Sequence, residues 1–71
     1  LIRLRVRVRP GGAVRDVELK GKAKVRDLLR LLGYSEESAV VVREGVVLTE
    51  DEALMDGDEV EVYEAISGGL R

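Results

Sequence analysis

From Ile2 to Arg9 the chain alternates strictly, with Ile2, Leu4, Val6 and Val8 set against Arg3, Arg5, Arg7 and Arg9. A period of two puts one set against a core and the other in water, which predicts a half-buried β-strand. Pro10-Gly11-Gly12 interrupts the pattern. Alternation then resumes with Val17 and Leu19 against Asp16, Glu18 and Lys20, as expected of a hairpin partner. After Lys22 the period lengthens. Val25, Leu28, Leu29 and Leu32 recur at i, i+3, i+4 and i+7, while Lys24, Arg26, Asp27 and Arg30 occupy the rest of the circumference. This predicts an amphipathic helix that stops at Gly33, with Leu31 at the margin of its buried face. Ser35 to Ser38 reads as a polar loop.

Ala39 to Leu48 holds two β-branched runs, Val40-Val41-Val42 and Val46-Val47-Leu48, on either side of Arg43-Glu44-Gly45, and so predicts a second hairpin. Val41 and Val47 are expected to point opposite to Val40, Val42, Val46 and Leu48. With Tyr63 they would then form a small apolar docking patch on the sheet face away from the helix. The plainer reading is that valines at an edge satisfy strand propensity. Thr49 to Met55 is expected to form a turn-like crossing that tucks Leu54 underneath. Asp56-Gly57-Asp58 turns the chain into a last strand, Glu59 to Ala65, with Val60 and Val62 on one face and Glu59, Glu61 and Tyr63 on the other. Ser67-Gly68-Gly69-Leu70-Arg71 loses all periodicity. The element order describes an α+β domain over residues 1–66, one helix packed on one face of a sheet of four to five strands, followed by a flexible tail over 67–71.

A chain of 71 residues, 45% apolar, builds one core and has no material for a deep substrate cleft, so function belongs on the surface or at a terminus. It contains no cysteine and no histidine. That excludes a thiol nucleophile and a thiolate metal site and removes the commonest general base, so the chain reads as a non-enzyme with no bound cofactor or metal. Charged residues make up 37% of the chain but balance to a net −2, which argues for a well-solvated surface of the kind thermophile proteins favour. No apolar run reaches membrane-spanning length and no signal-peptide pattern opens the chain, so the expected location is the cytoplasm.

The arginine stripe invites a nucleic-acid reading. Against it, a first strand flanked by the second and the last would set these arginines opposite Asp16, Glu18, Glu59 and Glu61, and the sheet has no Phe or Trp on which bases could stack. Glu50-Asp51-Glu52 with Asp56 and Asp58 lacks the ligand spacing of a calcium loop and reads as solvated turns. Lys20, Lys22 and Lys24 are ordinary surface lysines or acceptors for another modifier's tail.

Val25-Arg26-Asp27-Leu28-Leu29 opening the helix, Leu54-Met55-Asp56-Gly57-Asp58-Glu59-Val60 leading into the last strand and Ser67-Gly68-Gly69 beyond it resemble the ubiquitin-like sulfur carriers. Relatives in that group include the molybdopterin synthase small subunit, the thiamine-pathway sulfur carrier and the archaeal small modifier proteins. The resemblance spans essentially the whole chain, its most specific parts being the tail and the Asp-Gly-Asp turn. It implies a β-grasp, ubiquitin-like fold with a mixed sheet, the first strand central and parallel to the last. It further implies that a separate activating enzyme uses ATP to adenylate the terminal glycine, here Gly69. The product becomes a thiocarboxylate that donates sulfur to a synthase in cofactor synthesis or tRNA thiolation, or it is joined to target-protein lysines. Two glycines suit a tail that threads a narrow channel. Because carriers of this family end at the second glycine, the resemblance also implies that a processing protease removes Leu70-Arg71. Arg43-Glu44-Gly45 stands where the sulfur carriers' Asn-Gly turn is expected. A third alternative is a non-conjugating β-grasp interaction domain.

Overall fold

A computed structural model describes residues 1–9, 11–35 and 37–64. Within these, the elements follow in the order β1 (Ile2–Arg9), β2 (Ala13–Leu19), β3 (Ala23–Lys24), α1 (Val25–Leu32), β4 (Ala39–Arg43), β5 (Val46–Leu48), β6 (Ala53–Leu54) and β7 (Glu59–Glu64). Five strands make one mixed sheet in the order β2-β1-β7-β4-β5. The first strand is central, as expected, antiparallel to β2 and parallel to β7, with Val6 opposite Val60 and Val8 opposite Val62. Ala65 and the expected tail, residues 67–71, lie outside the described residues.

The alternation in β1 resolves as predicted: Leu4 and Val6 are buried and Arg3, Arg5 and Arg7 are exposed. Val25, Leu28 and Leu29 of α1 meet them from above, and Val17, Val41, Leu48, Leu54, Val60 and Val62 complete the core. Among the described residues no polar or charged side chain is buried, so the core carries no desolvated charge to compensate. Leu32 is only partly buried and Leu31 is exposed, which places Leu31 off the core stripe.

Both ends of α1 satisfy their orphan backbone groups. At the start, the N–H groups of Val25 and Arg26 donate to the carbonyls of Glu52 and Glu50 at 3.0 and 3.1 Å. Asp27 reaches back to accept the Lys24 N–H at 2.9 Å. Lysine has no acceptor, so only this half of a capping box has a chemical basis. At the end, Gly33 sits at φ 91°, and the N–H groups of Gly33 and Tyr34 donate to Arg30 and Leu29 at 3.1 and 2.9 Å. This is a Schellman motif, and its left-handed residue favours glycine.

Thr49 to Met55 turns at Glu50 and Asp51, as expected, and adds a short strand that was not. Leu54 is buried as anticipated, but it does so from a two-residue strand in which Ala23 pairs with Leu54 and Lys24 with Ala53. Strands this short leave too few alternating positions to be read from a pattern.

The expected orientation of Val41 is corrected. The loop between β4 and β5 is two residues long, Glu44 at φ 54° and Gly45 at φ 80°, the backbone signature of a type I′ turn. Arg43 therefore belongs to β4, and the register pairs Val41 with Leu48, Val42 with Val47 and Arg43 with Val46. Cross-strand partners share a face. Val41 points into the core at 0% exposure, beside Leu48 and Val62, whereas Val42 and Val47 share the opposite face. Truncating Val41 to Ala should cost about 2 kcal/mol, from two buried methyl groups and the cavity they leave. Val47→Ala should change stability by less than about 0.5 kcal/mol. Urea unfolding of the two variants checks both values, and equal losses would contradict this register.

Candidate functional site

The sheet face away from α1 is a grid whose rows follow from the register. One row runs Val14, Arg7, Glu61, Val42, Val47 across the five strands, and the next runs Arg9, Tyr63, Val40. Val40, Val47 and Tyr63 are 47%, 62% and 41% exposed, and Val42 is half-buried. An apolar patch thus lies on the β4–β5 side, bordered by Arg7, Arg9 and Glu61. Two of the expected patch residues, Val47 and Tyr63, are in it. Val40 and Val42 belong to it in place of Val41, a substitution that counting the loop as two residues would have given.

The arginine stripe faces its acidic neighbours. Arg3 pairs with Glu18 at 2.9 Å, Arg5 with Asp16 at 3.6 Å and Arg9 with Glu61 at 3.4 Å. Such surface pairs contribute roughly 0.2–1 kcal/mol each, offsetting three of the four stripe charges without being a major source of stability. Glu61 also accepts the Tyr63 hydroxyl at 3.0 Å, so one carboxylate joins Arg9 to the aromatic ring of the patch.

The Asp-Gly-Asp turn is structural. Asp56 accepts the Arg3 N–H at 2.8 Å, and Asp58 accepts both the Met55 N–H at 2.9 Å and the Arg43 guanidinium at 2.8 Å. Gly57 N–H donates to the Arg3 carbonyl at 2.8 Å and Arg5 N–H to the Asp58 carbonyl at 3.0 Å. The turn is thereby stitched to the start of β1 while Asp58 holds the inner side of the second hairpin. Among the described residues no set of three His, Cys, Asp or Glu side chains gathers as metal ligands, and no helix is long and apolar enough to cross a membrane. Arg26 pairs with Asp51 beside the start of α1. Lys20, Lys22 and Lys24 are exposed near the β2 end that is paired with the beginning of β1.

At the opposite end of the sheet, β7 closes on Glu64, paired with Ala39 of β4. Tyr34 donates its hydroxyl to the Glu64 carboxylate. That hydrogen bond, aided by partial burial of the ring, pushes the Tyr34 phenol above its ordinary value of 10.0. The bond to Glu61 does the same for Tyr63. Gly68 and Gly69, the expected attachment residues, lie beyond Glu64 and outside the described residues.

This arrangement can be set beside known proteins. Residues 2–66 match the profile described as Small archaeal modifier protein 2. The chain belongs to that family. It is 40% identical over 55 residues to the sulfur carrier protein TtuB of Thermus thermophilus, a match covering 78% of this chain and 85% of that protein. A putative molybdopterin converting factor subunit 1 from Pyrococcus furiosus superposes with a TM-score of 0.73 at 25% identity, covering 93% of this chain and 100% of the other. The family is ubiquitin-like and its fold is the β-grasp, as the resemblance implied.

The tyrosine shifts set a pH dependence within this fold. Folding favours the neutral phenols, so the unfolded chain loses these protons first, and the native state binds more protons just above pH 10.0. The contribution is complete below 10.0 and is lost as pH rises through the raised folded values. Stability should fall on the alkaline side of this point, and Tyr34→Phe should make the fall shallower. Urea midpoints taken on both sides of the transition measure it, and an unchanged slope in the variant would dissociate the phenol from the effect.

Proposed function

We propose that this chain is a ubiquitin-like sulfur carrier acting through the carbonyl of Gly69. The reading rests on Gly68-Gly69 following shortly after β7 in a chain 40% identical to a sulfur carrier protein. A carboxylate is a poor electrophile. Attack of the Gly69 carboxylate on the α-phosphorus of ATP releases pyrophosphate and gives an acyl-adenylate, whose carbonyl now bears a good leaving group. A sulfur nucleophile then displaces AMP and leaves a thiocarboxylate, a store for sulfur that needs no cysteine. Whatever follows Gly69, Leu70-Arg71 included, must first be removed to expose that carboxylate.

In this reading the domain is a substrate-like carrier and not the catalyst. A cytoplasmic activating enzyme binds the ATP, and a synthase of cofactor assembly or tRNA thiolation accepts the sulfur. Val40, Val42, Val47 and Tyr63 form the surface on which such partners dock, an apolar patch with a charged rim. The description of the matched family favours a second reading, conjugation. There the same adenylate, or a species derived from it, is attacked by a target lysine and Gly69 ends in an isopeptide bond.

Intact mass spectrometry of the protein from its own cells tests the carrier reading. A species ending at Gly69 and about 16 Da heavier than its carboxylate form, the difference of sulfur and oxygen, is expected. Lysines bearing glycine remnants without any thiocarboxylate would favour conjugation, and neither product would leave only the interaction-domain reading. Docking has its own check. Val47→Asp should weaken binding to the activating enzyme at least about tenfold, the effect of a charge left in an apolar contact, while barely changing the unfolding midpoint.

A further inference from the structure

The root of the tail is fastened by a side chain that none of the sequence patterns marks. Glu64 is the last residue of β7 and its backbone pairs with Ala39. Its carboxylate accepts the hydroxyl of Tyr34, thirty positions earlier in the chain. Tyr34 is itself fixed. Its N–H donates to the Leu29 carbonyl in the cap of α1, and its ring packs against the core. The end of the last strand is therefore held from two directions, through β4 and through the C-terminus of α1. We propose that Tyr34 is a positioning residue for tail activation, its hydrogen bond to Glu64 setting the point from which the chain departs toward Gly69.

The inference rests on the carrier reading for its chemistry and on the described residues for its geometry. Five residues, Ala65 to Gly69, connect Glu64 to the reacting carbonyl, a reach of at most roughly 17 Å. The density of a tethered end near its target falls roughly as the −3/2 power of tether length. If Glu64 comes free, the tether grows from five residues to six, and the local concentration of Gly69 at the nucleotide drops roughly 1.3-fold. Added freedom at the departure point lowers it further, because every orientation sampled must be given up in the reactive geometry. Docking through the open face leaves this step untouched. Loss of the latch thus acts after binding.

The test uses the full domain ending at Gly69, with Tyr34→Phe, Glu64→Ala and Glu64→Gln. Glutamine keeps an acceptor for the phenol and alanine does not. Amide hydrogen exchange at Glu64 should speed up in the phenylalanine and alanine variants and stay near wild type in the glutamine variant. With the activating enzyme of the same cells, ATP–pyrophosphate exchange should show kcat lowered by at least about 1.3-fold in the first two variants, KM unchanged, and recovery in the third. Unchanged exchange at Glu64 overturns the latch. Faster amide exchange with unchanged kcat overturns its positioning role. If the wild-type domain supports no ATP–pyrophosphate exchange, the carrier reading fails and the positioning role fails with it, while the amide data still decide whether the latch exists.

Discussion

The parallel pairing of β1 with β7 is the constraint on which the other contacts depend. It joins the first strand to the last, with Arg5 opposite Glu59 and Arg9 opposite Tyr63, and it closes a loop that contains nearly the whole domain. Parallel strands cannot be joined by a tight turn, so everything between them is crossover. Here that crossover carries β2 back along β1, α1 over the face and β4 down the far side of β7. Closure of so long a loop has an entropic cost that local contacts do not return, so this pairing is the most expensive in chain entropy among the strand contacts. Val6 and Val60, and Val8 and Val62, reward it with apolar area under the helix.

Once this pair is in place, the two sheet faces divide the work. The face under α1 is wholly apolar among the described buried residues and supplies stability. The other face is arranged by charge. β1 brings arginines, β2 and β7 bring acids, and the exposed apolar side chains gather at Tyr63 and beyond β7, at Val40, Val42 and Val47, with Val14 at the β2 edge. Because the ion pairs are exposed and individually weak, their importance lies in what they prevent. A row of four arginines without acids beside it would repel itself and attract polyanions, whereas three of these, Arg3, Arg5 and Arg9, hold acidic partners.

The large elements were legible because each has many periods to average over. Eight alternating residues define β1, and Val25, Leu28 and Leu29 locate α1 and its buried face. Gly33 marks the end of that helix for a reason of backbone geometry that survives any context. The second hairpin failed at one detail. Arg43-Glu44-Gly45 signals a turn but does not say whether Arg43 is in it, and that single residue reverses which valines face the core, since side chains alternate with period two. Glu44 at positive φ is an uncommon choice for the first position of a type I′ turn, so residue preference pointed away from the two-residue loop. The β3–β6 pair and the Tyr34–Glu64 bond were invisible for a different reason. Each joins short or single positions far apart in the chain, and no local pattern encodes such a meeting.

The division of labour also fits the proposed carrier reading, in which the reaction takes place at Gly69, beyond the last strand. Burial of a reacting group in a domain this small would displace part of its core, and without histidine or cysteine the chain has few side chains suited to the task. On that reading a main-chain carbonyl makes no such demand, because a partner enzyme would supply the cavity and the nucleotide. What would remain for this fold is to be recognised on the open face and to fix the point at which β7 ends. Those two proposed duties fall on different residues, the patch on β4, β5 and Tyr63, the end of β7 on Glu64 and its Tyr34 partner, so a substitution can separate them.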